Sequence, residues 1–106
     1  MEQGDGLNVQ HDILARGNGQ ILPSVFFKRG EKLEYMRPGS TFQHLRDDNL
    51  IEIACVESLG TDLYGIPHVR FQISLTRDKK FLDFDKGTRM LALSSFADRY
   101  RERIVI

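Results

Sequence analysis

The side chains best suited to recognition chemistry recur at alternating positions of three segments. They are Phe42, His44, Arg46, Glu52, His68, Arg70 and Gln72. A phenyl ring offers a flat contact surface, an arginine offers a planar fork of donors, and a histidine beside a glutamate can titrate near neutral pH. We expect these side chains to share one face of a sheet. Two interpretations are open: a recognition surface, or a solvated face with an ordinary ion pair between Arg70 and Glu52.

Catalysis by this cluster would need groups that the sequence does not supply. His44, oriented by Glu52, has the chemistry of a general base, and Arg70 has that of an anion-binding group. The sequence indicates no nucleophile and no concave pocket to accompany them. Three histidines and one cysteine lack the spacing of a metal site, and no phosphate-binding glycine loop or other catalytic motif occurs. The sequence therefore predicts no enzyme activity, no metal and no cofactor.

The elements that must position these residues are short strands. From residue 21 onward, apolar or alternating runs are separated by turn residues at intervals of about 8–12 residues, as in small all-β domains. Predicted strands lie near 21–28, 32–36, 41–46, 50–58, 66–76, 80–84 and 88–93. Glycine, proline and asparagine supply the turns between them, at 29–30, 37–39, 47–49 and 85–87.

The register of the central strands follows from matching their apolar faces. In segment 66–76, the side chains of Val69, Phe71, Ile73 and Leu75 alternate with polar ones. If Ser58 faces Ile66, then Cys55 faces Val69, and the thiol points into the core. A tight hairpin at 47–49 would place His44 opposite Glu52 and Phe42 opposite Ala54. This register is what brings the seven candidate residues to one surface.

The loop 59–65 is a second candidate contact site. It carries Leu63 and Tyr64 between two glycines. Tyr64 either projects as an aromatic contact in an interaction loop or folds back over the rim of the sheet. Both interpretations are open from the sequence.

The last predicted element is a helix from about 95 to 103. Residues 95–98 have the form of a capping box, and Phe96, Tyr100 and Ile104 recur at helical spacing. Arg99, Arg101 and Arg103 would face outward, as a solvated surface or as phosphate ligands. The apolar residues 104–106 are either a last paired strand or a contact with a second copy of the chain.

Length and composition set the class of protein. The 106 residues suffice for one modest core. Residues 1–20 are rich in glycine and polar residues, which favours a flexible N-terminal arm before one domain at 21–106. We expect a mainly β protein, a small antiparallel barrel or rolled sheet with a C-terminal helix. In element order and size it resembles SH3-like and Tudor-like barrels.

Net charge and cysteine content limit the cellular compartment and the classes of binding partner that we expect. The single cysteine excludes an intrachain disulfide, and no segment has the length and hydropathy of a membrane span or signal peptide. We therefore expect a cytoplasmic protein without a membrane partner. The formal net charge is zero, so electrostatic attraction to nucleic acid is weak.

Three functions are compatible with these features. The first is a non-catalytic module that binds another protein through the predicted sheet face or through the loop 59–65. The second is an RNA- or single-stranded DNA-binding module that uses the same face together with lysines and arginines of the C-terminal third. The third is a homo-oligomeric subunit that pairs through Ile104-Val105-Ile106.

Overall fold

The computed structural model describes residues 19–77, 80–82 and 87–104. Within these ranges the elements are β1 (Ile21–Leu22), β2 (Val25–Arg29), β3 (Lys32–Met36), β4 (Thr41–Leu45), β5 (Ile51–Thr61), β6 (Pro67–Arg77), β7 (Lys80–Leu82), β8 (Thr88–Ala92), α1 (Leu93–Arg99) and β9 (Glu102–Ile104). The protein is mainly β with one short helix, which confirms the predicted class. Residues 1–18 of the predicted arm, most of the predicted turn at 85–87, and residues 105 and 106 lie outside the described residues.

Seven strands form one antiparallel sheet around the long pair β5 and β6. Strands β1 and β4 pair with β5, strands β7 and β8 pair with β6, and β9 adds to the outer edge of β4. Strands β2 and β3 form a separate hairpin. The predicted strand at 21–28 is divided because Pro23 lacks the N–H that a paired strand needs. Ile104 lies opposite Thr41 of the same chain, so the last segment begins as a paired strand.

The two sheets do not close into a barrel, so of the two predicted architectures, a barrel or a rolled sheet, the barrel is wrong. Among the described residues, β3 pairs only with β2, and β9 pairs only with β4. Each of these strands therefore keeps one edge without a partner strand. The seven-stranded sheet and the β2–β3 hairpin are therefore not joined by strand pairing between β3 and β9.

The hairpin between β4 and β5 forms as predicted. His44 lies opposite Glu52, and Phe42 lies opposite Ala54. The N–H of Arg46 donates to the carbonyl of Leu50 at 2.8 Å. Asn49 takes the left-handed conformation with φ of 68°, which asparagine tolerates in a tight turn.

The register between β5 and β6 differs from the prediction. Cys55 lies opposite Gln72 rather than Val69, and the register shifts again at a bulge between Val56 and Ser58. Because β5 continues to Thr61 and β6 begins at Pro67, the connection between them is residues 62–66, shorter than the predicted loop 59–65. A shift by an odd number of residues exchanges the two faces of a strand. Cys55 is therefore exposed, and the prediction of a buried thiol is wrong.

Aromatic side chains form the centre of the core. Phe96 of α1 packs edge-on against Phe42 and Phe71, and Tyr100 follows it at the end of the helix. Phe96 and Tyr100 pack into the core as predicted. The predicted helix bounds of 95–103 are wrong, because α1 spans Leu93–Arg99 and Ile104, the third residue of the predicted stripe, lies in β9. Ala92 occupies the N-cap position without a side-chain hydrogen bond, so the predicted capping box does not form.

The β2–β3 hairpin is fixed to the core and to α1. Val25, Phe27 and Met36 pack against the central cluster. Arg29 forms an ion pair with Glu34 at 2.8 Å and donates to the backbone carbonyls of Ala97 and Tyr100. The hairpin is therefore held on one face only. No helix among the described residues is long and apolar enough to cross a membrane.

Candidate functional site

The structure separates the residues that the sequence placed on one surface. Phe42, Glu52 and Arg70 are buried. Phe42 and Glu52 lie on the core face of the sheet, whereas Arg70 and Gln72 lie on the opposite face, where Gln72 is exposed beside Cys55. The predicted shared surface is therefore wrong, and the shifted register between β5 and β6 is the reason.

Glu52 organises a buried cluster of hydrogen bonds rather than an open site. The hydroxyl of Tyr100 donates to Oε1 of Glu52 at 2.8 Å, and Arg99 donates to Oε2 at 2.8 Å. Burial raises the pKa of Glu52, but these two hydrogen bonds outweigh it, so that the pKa lies below its ordinary value. Burial raises the pKa of Tyr100 to about 12. Both carboxylate oxygens thus have a donor in the fold.

His44 and Arg46 lie at the rim of this cluster. The ring of His44 meets that of Tyr100 edge-on, with 6.2 Å between centroids. Arg46 forms an ion pair with Asp48 at 3.2 Å and lies 3.8 Å from Glu52. A cavity of about 320 Å³ is lined by His44, Arg46, Asp47, Asp48 and Arg99. Because each arginine faces a carboxylate, the cavity offers little free charge to an anion.

The loop after β5 is an ordered turn with an exposed aromatic tip. The carboxylate of Asp62 accepts from the N–H groups of Tyr64 and Ile66 at 2.8 and 3.0 Å. These backbone hydrogen bonds lower the pKa of Asp62. His68 lies 3.9 Å from the same carboxylate. The side chain of Tyr64 faces solvent, and the residue is 82% exposed. Tyr64 therefore does not fold back over the sheet.

Arg70 is buried beside the bulge in β5. Its Nε lies 3.5 Å from the carboxylate of Glu57, which is partly exposed. Nη1 of Arg70 is buried and has no hydrogen-bond partner among the described residues. By alternation, Arg70 shares a face of β6 with His68 and Gln72, apart from Phe42 and Glu52 on the core side.

The feature that the sequence analysis missed is the outer face of the β2–β3 hairpin. Phe26, Leu33 and Tyr35 are 68%, 62% and 40% exposed. Phe26 lies directly opposite Tyr35, with 5.5 Å between ring centroids. The available signal was the run Val25-Phe26-Phe27, because large apolar residues at successive positions place apolar side chains on both faces of a strand.

A groove runs between the free edges of β3 and β9, and we name it the β3–β9 groove. One part, of about 650 Å³, is lined by residues 32–35 and 101–103. It continues into a part of about 500 Å³ lined by Tyr35, residues 37–41, Arg103 and Ile104. Arg103 crosses between the strands: its guanidinium donates to the carbonyl of Tyr35 and lies 4.8 Å from the ring centroid of Phe42.

The charges that line this groove are predominantly positive. Lys32 and Arg101 are exposed, and neither side chain forms an ion pair or hydrogen bond within the described part of the chain. Glu34 is paired with Arg29, and Glu102 accepts a hydrogen bond from Gln43 at 2.8 Å. Glu34 is therefore neutralised by a cation, whereas Glu102 keeps its charge. The side chains of Lys32 and Arg101 have no carboxylate partner among the described residues.

Among residues 19–77, 80–82 and 87–104, no three His, Cys, Asp or Glu side chains converge as a metal site requires. A further cavity of about 420 Å³ lies between the tip of the hairpin, Ile66-Pro67 and α1.

Comparison of the chain with protein-family models, curated proteins and solved structures found no match. Function is therefore argued from the residues of this chain alone.

Proposed function

We propose that this protein is a non-catalytic binding module that contacts another protein through the outer face of the β2–β3 hairpin. The observation that carries the proposal is the exposed apolar face formed by Phe26, Leu33 and Tyr35. Contiguous apolar side chains with a polar rim are typical of protein contact surfaces. Aromatic residues are also enriched among those that dominate binding energy.

The attachment of the hairpin supports this proposal. Its inner face is packed on the core through Phe27 and Met36, and Arg29 ties it to the end of α1. The outer side chains are therefore presented on a backbone that is already fixed. A contact surface held in place in this way loses less conformational entropy on binding.

The proposal moves the contact surface away from the predicted sheet face. Phe42 and Glu52, which the sequence assigned to that face, are used inside the fold. Tyr64 is a second exposed aromatic, on the turn between β5 and β6. Leu63 and Ile66 of this turn are exposed as well. The hairpin is preferred because the rings of Phe26 and Tyr35 lie against each other, with 5.5 Å between centroids, on a backbone that is packed on the core.

The experiment compares two variants in affinity capture from nuclease-treated cell extract. The double variant Phe26→Ser/Tyr35→Ser removes the apolar face, and Leu45→Ser is the matched control, since Leu45 is 62% exposed elsewhere on the sheet. Urea unfolding of each variant establishes that it is folded. We expect the same proteins to bind the wild type and Leu45→Ser and to be lost from the double variant. Equal retention by a folded double variant would contradict the proposal.

A further inference from the structure

We infer that the partner presents an extended segment in which acidic residues alternate with apolar ones, and that this segment adds to β3 as a further strand in the β3–β9 groove. The inference rests on the proposed function, because Leu33 and Tyr35 belong both to the hairpin face and to the groove. It adds the chemistry and the conformation of the partner. Strand addition to an exposed sheet edge is a general mode of peptide recognition.

The backbone of β3 offers hydrogen-bonding groups to the groove. The carbonyl of Tyr35 accepts from Arg103, which approaches from the β9 side, so this carbonyl is directed away from β2. In an antiparallel pair, residues alternate between bonding the partner strand and facing away from it. Leu33 and Tyr35 therefore direct their N–H and carbonyl groups into the groove.

The backbone of β9 faces the same groove by the same alternation. The N–H of Arg46, directly after β4, donates to the carbonyl of Leu50, directly before β5. By alternation the even-numbered residues of β4 bond to β5, and its odd-numbered residues bond to β9. Gln43 is the partner of Glu102 in that pairing. The next residue, Arg103, therefore directs its backbone groups away from β4. Two strand edges without a partner strand among the described residues therefore face one groove. The carbonyl of Tyr35 accepts from Arg103, and an added strand would take the place of that side chain at this carbonyl.

Side chains along β3 define the composition of the added strand. Leu33 and Tyr35 lie on the outer face, so residues of the partner beside them would be apolar. Lys32 lies on the alternate face, and Arg101 and Arg103 line the opposite wall of the groove. Residues of the partner on that side would be acidic, because the side chains of Lys32 and Arg101 have no carboxylate partner among the described residues. The expected segment is therefore alternately acidic and apolar.

The test uses fluorescein-labelled synthetic peptides and fluorescence anisotropy with the full chain. The probes are a peptide that alternates Glu and Val, the same peptide with Lys in place of Glu, the same peptide with a central Pro, and oligothymidine of about 15 nucleotides. We expect only the Glu/Val peptide to bind well. Proline should weaken binding by about tenfold or more, because it removes a backbone donor.

Charge reversal locates the binding to the groove. The variant Lys32→Glu/Arg101→Glu should bind the Glu/Val peptide at least about tenfold more weakly. Arg89→Glu is the matched control, because Arg89 is exposed on β8 and no ion pair of its side chain occurs within the described residues. Its affinity should match that of the wild type.

Four results would overturn the inference. They are absence of binding by the Glu/Val peptide, equal binding of the Lys peptide, equal binding of the proline peptide, and tighter binding of oligothymidine. None of them bears on the capture experiment. If capture depends on Phe26 and Tyr35 while the Glu/Val peptide fails to bind, the binding module stands and the acidic strand is rejected.

Discussion

The buried cluster around Glu52 yields a quantitative prediction about stability. In Tyr100→Phe, Oε1 of Glu52 loses the donor that lies 2.8 Å away, while the aromatic packing of residue 100 is kept. Hydrogen bonds to charged groups contribute about 1.5–3 kcal/mol when they are buried. Both partners are buried, so no discount for solvent applies to this contact. We expect the free energy of unfolding at pH 7 to fall by about 2 kcal/mol.

The assay is urea unfolding followed by circular dichroism. With a urea m-value of about 1–3 kcal/mol/M, the midpoint should shift by roughly 1 M. Tyr64→Phe is the matched control, since Tyr64 is exposed and its hydroxyl lies outside the fold. A midpoint for Tyr100→Phe within error of the control would refute the role assigned to this hydrogen bond.

The same cluster predicts the direction of the pH dependence. Burial raises the pKa of Glu52, but the hydrogen bonds from Tyr100 and Arg99 hold it below the ordinary value of 4.5. The unfolded chain therefore takes up a proton at higher pH than the folded chain. The contribution of Glu52 is fully present above about pH 4.5 and is lost as the pH falls through the folded-state pKa. The difference between wild type and Tyr100→Phe should shrink below pH 4.5, and a constant difference would contradict this account.

Three further predictions concern the core, the exposed thiol and the attachment of the hairpin. Phe96→Ala should reduce the free energy of unfolding by about 3–5 kcal/mol, because Phe96 is fully buried among aromatic rings; a loss below about 1 kcal/mol in urea unfolding would contradict its central place. Cys55 is exposed and should react with a thiol reagent in the native protein at the rate of a small free thiol, whereas reaction only after unfolding would support a buried side chain. Arg29→Met removes the bonds to Ala97 and Tyr100 and should speed amide hydrogen exchange in β2 and β3, and unchanged exchange would show that packing alone holds the hairpin.

Local chemistry was sufficient to predict the β4–β5 hairpin and the core stripe of α1. The turn at Asp47-Asp48-Asn49 fixes its own geometry, because Asn49 accepts a positive φ and the carboxylate of Asp48 accepts from the N–H of Leu50 at 3.1 Å. The register of the flanking strands then follows from the turn. Phe96 and Tyr100 were predictable since helical spacing places them on one face.

The register between β5 and β6 could not be predicted from alternation. Segment 51–56 reads Ile-Glu-Ile-Ala-Cys-Val, and both of its faces contain apolar residues. The bulge between Val56 and Ser58 adds one residue to β5, and a strict alternation of apolar and polar residues does not predict such an insertion. Glu52 lies on the core side because Tyr100 and Arg99 donate to it, and both partners lie more than 40 residues away. Contacts at that sequence distance leave no local pattern.

The candidate site was missed for a related reason. The predicted surface depended on the wrong register, whereas Phe26, Leu33 and Tyr35 were assigned to strands without a decision on which face was buried. Which face of the hairpin is buried depends on the core residues that pack against Met36 and Phe27. Those core residues lie in distant segments of the sequence. The opening between β3 and β9 arises from the absence of pairing between the described strands, which no sequence period records.

Site-specific photo-crosslinking tests the central claim most directly. A photoreactive phenylalanine analogue is placed at Phe26, at Tyr35 or, as the control, at Leu45, and the purified protein is irradiated in nuclease-treated extract. We predict that positions 26 and 35 crosslink to the same protein and that position 45 does not, because only the first two lie on the exposed hairpin face. Crosslinking of that protein at position 45 with equal yield, or no crosslink at 26 and 35, would contradict the account.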